Sequence, residues 1–103
     1  MKTSKFTVGQ VVHHKLFHYR GVVVDVDPEF SLSEEWYQSV ARSQPPKDQP
    51  WYRVLVDGTN DETYVAERNL ELDQESRGIQ HPELHRYFTR MEGGHYIRNQ
   101  LLN

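Results

Sequence analysis

The sequence predicts a small, mainly β domain, a barrel of four or five short strands with helical additions. Three observations carry this. Tyr19-Arg20-Gly21-Val22-Val23-Val24-Asp25-Val26-Asp27-Pro28 places valines at 22, 24 and 26 in alternation with Val23, Asp25 and Asp27, the period of a strand with one buried face. Trp51–Val56 and Glu62–Ala66 are two further runs rich in β-branched and aromatic residues, separated by the turn cluster Asp57-Gly58-Thr59-Asn60-Asp61. Strands this short, joined by tight turns, leave edges that closure removes.

The first strand is expected over residues 6–15, opened by Val8-Gly9-Gln10. Leu16-Phe17-His18 connects it to the long strand, making an antiparallel hairpin. Gly21 marks a bulge or bend, and Pro28, which has no N–H to donate, ends the pairing. Ser31-Leu32-Ser33-Glu34 is a capping box with Ser33 as a competing cap. Trp36 and Val40 then share a face of a short helix at about 33–42, with Tyr37 beside them. The proline-rich stretch 43–50 returns the chain in extended form, so helix and loop form an insertion. Glu67–Leu70 is a short turn of 3₁₀ type, with Leu70 and Leu72 closing the bottom of the core. In the tail, His81-Pro82-Glu83 starts a helix. Leu84, Tyr87, Phe88 and Met91 fit the helical apolar template, and Gly93-Gly94 ends it. Tyr96, Ile97, Leu101 and Leu102 make a last apolar segment. The chain thus divides into a barrel at 1–76 and a helical extension at 77–103, packing on the barrel or on a neighbour.

At 103 residues, 36% hydrophobic and 26% charged, the composition is that of one soluble globular domain. There is no cysteine, hence no disulfide framework and no thiolate metal site. No signal peptide follows Met1, and no run approaches the ~18 apolar residues of a membrane span. A cytoplasmic setting is expected. The net charge of −3 is uneven. Residues 1–27 carry Lys2, Lys5, Lys15 and Arg20 against Asp25 and Asp27, a net +2. Residues 28–76 carry four basic side chains against eleven acidic ones, a net −7. Arg77, Arg86, Arg90 and Arg98 against Glu83 and Glu92 return +2 to the tail. An acidic balance argues against general nucleic-acid binding, which draws its affinity from neutralised phosphates.

Candidate binding residues fall in two groups. His14, Lys15, Tyr19 and Arg20, with His13 and His18, surround the first hairpin as a basic patch for phosphates or an acidic partner, split over two faces by strand alternation. Trp36, Trp51 and Tyr52, with Tyr37, supply rings that stack bases, line a peptide groove or fill the core. Glu29, Glu34, Glu35 and Asp48 form an acidic flank beside the insertion. His81 and His85 stand four apart, as in a helical metal site, but lack a third ligand. No cofactor is expected. With no marked nucleophile and no glycine-rich phosphate loop, nothing points to catalysis.

Four segments taken together resemble a known family. They are Phe6-x-Val8-Gly9-Gln10-Val11-Val12-x-His14, Tyr19-x-Gly21-Val22-Val23-Val24-x-Val26-Asp27-Pro28, Gln49-Pro50-Trp51-Tyr52-x-Val54-Leu55-Val56 and Tyr64-Val65-Ala66-Glu67-x-Asn69-Leu70. In order and spacing they are similar to the YccV-like, or heat-shock protein Q, family over residues 5–72. His81-Pro82-Glu83-x5-Phe88 with His95-Tyr96-Ile97 is similar to the segment after the same domain in certain eukaryotic F-box proteins. A chain of this length with its own Met1 looks more like the stand-alone bacterial form. The resemblance implies an SH3-like barrel without enzymatic activity, self-associating, commonly as a trimer. It also implies one of two partners. The first expectation is a heat-shock and protein quality-control factor that modulates a Lon-type protease or its substrates. The alternative is a protein that binds hemimethylated DNA.

Overall fold

The computed structural model describes residues 3–41, 43–75 and 77–99. Strands β1 (Val11–His14), β2 (Arg20–Asp27), β3 (Trp51–Val56), β4 (Glu62–Ala66) and β5 (Leu70–Leu72) form one antiparallel sheet in the order β4-β3-β2-β1-β5. Helix α1 (Glu34–Val40) lies between β2 and β3, and a 3₁₀ turn (Glu67–Asn69) joins β4 to β5. The mainly β expectation holds, but among the described residues the sheet is not closed into a barrel, because no ladder joins β4 to β5. The edges are guarded by other means. β5 is only three residues long, with Leu72 half exposed rather than closing the core, and β4 begins with an exposed glutamate.

The long strand buries both faces of its first half, not one. Val23 packs with Phe6, Val12, Tyr52, Val54, Val65 and Leu70 on the first face. Val22 and Val24 pack with Val11, Leu55, Ile79, Phe88 and Tyr96 on the second. A register shift between Val23 and Asp25 inserts Val24 as an extra residue. It reverses the alternation, so Val26 joins the face of Val23. Gly21, the expected bend, is instead in regular register with Val56 and Val12. Its lack of a side chain serves close approach, since a Cβ there would lie 2.4 Å from Val54 Cγ1 and 2.5 Å from the Leu55 carbonyl oxygen. Gly21→Ala is therefore expected to cost about 1–3 kcal/mol by overpacking, read as a lower urea midpoint at unchanged slope.

The tail corrects a second expectation. Its helix, α2, spans only Leu84–Tyr87, and the chain then forms a hairpin of β6 (Phe88–Glu92) and β7 (His95–Arg98). Gly93 and Gly94 do not cap a helix. They form the hairpin turn, with φ of 57° and 78°, the left-handed pair that primed two-residue turns demand. The apolar spacing misled because a register shift between Phe88 and Arg90 puts Phe88 and Met91, three apart, on one side of a strand. That side covers the second face of the sheet, so Phe88 and Tyr96 are spent within the chain rather than on a neighbour. Tyr96 locks the arrangement. Its N–H donates to the Gly9 carbonyl and its hydroxyl accepts from the Ile79 N–H, both at 2.8 Å. Leu101 and Leu102 lie outside the described residues. Among the described residues no helix is long and apolar enough to cross a membrane.

Candidate functional site

A groove of about 780 Å³ runs between α1, β4 and the turn joining β1 to β2. Its floor is aromatic. The rings of Trp51 on β3 and Tyr64 on β4 stack at 5.2 Å and 25°. Trp36 on α1 meets both edge-on, at 6.2 Å from Trp51 and 5.7 Å from Tyr64. Strand alternation and cross-strand register explain the first pair, since Trp51 faces Ala66 and Arg53 faces Tyr64 on neighbouring strands. The third ring depends on the start of α1. Ser33, not Ser31, is the N-cap, accepting from the Trp36 N–H at 3.1 Å. Ser31 instead donates to Asp27 Oδ2 at 2.6 Å.

The proline-rich loop is tied to this cluster. The Tyr37 hydroxyl donates to the Pro45 carbonyl at 2.6 Å, and Trp51 Nε1 to the Pro46 carbonyl at 3.1 Å. The Tyr64 hydroxyl donates to Asp27 Oδ2 at 2.6 Å, and burial with that carboxylate pushes its pKa up. It is held as a neutral donor. Tyr19 bridges the far side through its contact with Thr63 Oγ1 at 2.8 Å, its pKa also raised by burial.

The opposite wall is Leu16 and Phe17, at the tip of the first hairpin. Phe17 is 74% exposed and Leu16 54%. Their turn is built on His14. Its Nδ1 accepts from the N–H of Leu16 at 3.1 Å and of Phe17 at 3.0 Å. Both donors are backbone amides, so this nitrogen carries no proton and the ring is neutral. Burial, then the charges of His13 and His18, hold the His14 pKa below the ordinary histidine value.

Of the residues the sequence singles out, His14, Tyr19, Trp36 and Trp51 come together as groove lining. Lys15 is exposed on the adjoining turn without lining the groove. Two others leave the site. Tyr52 is fully buried on the first face, its hydroxyl donating to Glu67 Oε2 at 2.5 Å. Arg20 is buried in ion pairs with Asp57, Asp73 and Glu75, and so offers no free charge to a phosphate. His13 contacts Glu71 at 3.0 Å, on the other side of the strand from His14. Glu29, Glu34, Glu35 and Asp48 are exposed, and Glu34 is held below the usual carboxylate range by Gln38 and Lys47. His81 spends both ring nitrogens on backbone, with Nε2 at 2.9 Å from the Asp61 carbonyl and Nδ1 accepting from the Glu83 N–H. Among the groove residues that sequence reasoning missed are Leu16, Phe17, Leu32, Val40, Arg53 and Tyr64. An apolar pair inside a hairpin turn was the available signal for the first two.

Basic side chains near the groove are largely committed. Lys47 pairs with Glu34 and lies over the Tyr37 ring at 4.3 Å. Arg53 reaches Glu62 at 3.4 Å and Asp25 at 3.8 Å, with its guanidinium 5.3 Å from the Tyr64 centroid.

A family model described as hemimethylated DNA-binding protein YccV like matches residues 4–95. The chain belongs to the YccV-like family. The match takes in the whole sheet, α1, the groove, α2 and β6. The YccV-like span therefore crosses residue 76, where the sequence divides barrel from tail, in keeping with the hairpin's burial against the sheet.

Proposed function

We propose that this YccV-like chain is a non-enzymatic, cytoplasmic DNA-binding domain with a preference for hemimethylated sites, and that the aromatic groove receives the methylated base. The observation that carries the reading is the family match over residues 4–95. The groove supports it. A methyl group is discriminated by apolar contact, worth about 0.8 kcal/mol for a buried carbon, and an aromatic platform adds roughly 1–3 kcal/mol per stacked base. The part-exposed rings of Trp36 and Tyr64 supply that platform, backed from beneath by the buried Trp51.

Electrostatics sets the character of the binding. With Arg53 and Lys47 ion-paired and Arg20 buried, few phosphates are neutralised. For two contacts the slope of log affinity against log salt is expected near −2, at about −0.9 per phosphate. Fluorescence anisotropy of hemimethylated, fully methylated and unmethylated duplexes at several salt concentrations tests this. A shallow slope with the hemimethylated duplex tightest is the expected result, and equal affinity for all three would sink the specific reading.

A second reading is favoured by the exposure of Leu16, Phe17 and Val40 around the groove. These, with the edge strand β4, suit an extended polypeptide segment, as a quality-control factor acting on a Lon-type protease or its substrates requires. Degradation assays with and without the chain check it. Unchanged turnover and aggregation of every candidate substrate would remove this reading.

A further inference from the structure

We propose that His14 is a proton-controlled latch on the rim of the groove: in its neutral form it holds the Leu16–Phe17 turn in place, and protonation releases that turn. The geometry is specific. One nitrogen, Nδ1, accepts from two adjacent backbone amides, Leu16 at 3.1 Å and Phe17 at 3.0 Å. The same ring stacks on Phe17 at 4.7 Å and leans on Tyr19 at 5.0 Å. A proton on Nδ1 converts the acceptor into a donor facing two donors. Both amides lose their partner at once, and a charged ring is left in a buried site. The turn must reorganise, and with it the groove wall that Phe17 provides.

The surroundings do not rescue the charged form. His13 and His18 belong to the same hairpin and add like charge when protonated, and Lys15 adjoins it. Tyr19 is neutral, with its hydroxyl on Thr63. The carboxylate of Glu71 on β5 is engaged by His13. Across the groove, Glu62 and Arg53 pair with each other. Because the folded His14 binds its proton more weakly than an unfolded histidine, the unfolded chain holds more protons below about pH 6.5. Stability therefore falls as pH drops from there towards the folded pKa. The rim is the first element to respond.

That the latch alters affinity for DNA rests on the groove being the DNA site, whereas its effect on the rim does not. Two measurements separate these. In the free protein, nitrogen NMR is followed from pH 8 to pH 4.5. The Leu16 and Phe17 amide signals are expected to move with the midpoint of the His14 ring. In His14→Asn, whose side-chain oxygen accepts without titrating, they are expected to stay. Amides that remain still while the wild-type ring titrates would overturn the latch, as would equal movement in H14N driven by His13 and His18. The wild-type titration decides the matter even if the variant does not fold. Second, a hemimethylated duplex is bound at both ends of the wild-type transition. Ordinary electrostatics predicts tighter binding as the chain gains positive charge. The latch predicts weaker binding, by about fivefold or more, and binding that does not weaken overturns its coupling to the groove. Moving amides with no duplex binding at either pH would leave the latch standing and remove the DNA reading.

Discussion

Replacing Arg20 by alanine is expected to destabilise the fold by about 3–5 kcal/mol, the cost of breaking a buried ion cluster by removing one partner. Arg20 is 8% exposed, and every arm of its guanidinium is engaged. Nε meets Asp73 Oδ2 at 3.0 Å and Glu75 Oε2 at 2.9 Å. One terminal nitrogen donates to Asp57 Oδ2 at 3.1 Å and the other to the Arg77 carbonyl at 2.6 Å. The side chain thereby pins the start of β2 to the segment that leads into the tail hairpin and carries Ile79 into the second core. Alanine strips the buried Asp73 of its ion-pair partner and leaves Asp57 only the exposed Arg77 at 3.8 Å. Lysine retains charge but not the planar fork that reaches both carboxylates and the carbonyls, so Arg20→Lys should recover only part of the loss. Urea denaturation of the three proteins measures the series. If Arg20→Ala changed stability by less than about 1 kcal/mol, the cluster would be merely surface-like, and Arg20 would return as a candidate phosphate contact.

Arg20 also shows where sequence reasoning stops. Beside His14 and Lys15 it reads as part of a basic patch, because the acidic partners that bury it stand 37 and 53 residues away. The strands themselves were legible: the valine run, Trp51–Val56 and Glu62–Ala66 pair as their patterns require. What misled were local insertions. The bulge at Val24 and the register shift in β6 each change which residues share a face. The second of them gives Phe88 and Met91 a helix-like spacing within a strand. Closure into a barrel was a general inference from short strands, and it is the part that pairing does not bear out. In the site, Trp36 and Trp51 were found as chemistry-bearing types. Tyr64 was missed because its role comes from stacking across β3 and β4. Phe17 was missed because a turn gives no periodic signal.

The two tryptophans are expected to separate fold from function. Trp51 is 1% exposed, packed against Phe30 and Tyr64 and bonded through Nε1 to the loop. Trp51→Ala should cost about 3–5 kcal/mol of stability, the range for an aromatic truncated in a core, and should free the Pro46 carbonyl that Nε1 holds. Trp36 is only half buried, on a helix of seven residues at the surface. Trp36→Ala should leave most of the stability intact and remove roughly 1–3 kcal/mol of binding if a base stacks there. Each variant keeps the other tryptophan as its single indole reporter, since the chain has two, so denaturation and ligand quenching are read from one residue at a time. A loss of stability in Trp36→Ala as large as in Trp51→Ala would make both rings core and leave the groove without its platform. Unchanged binding in a stable Trp36→Ala would move the ligand away from α1, towards the Phe17 side of the groove, where His14 rather than the tryptophan cluster governs access.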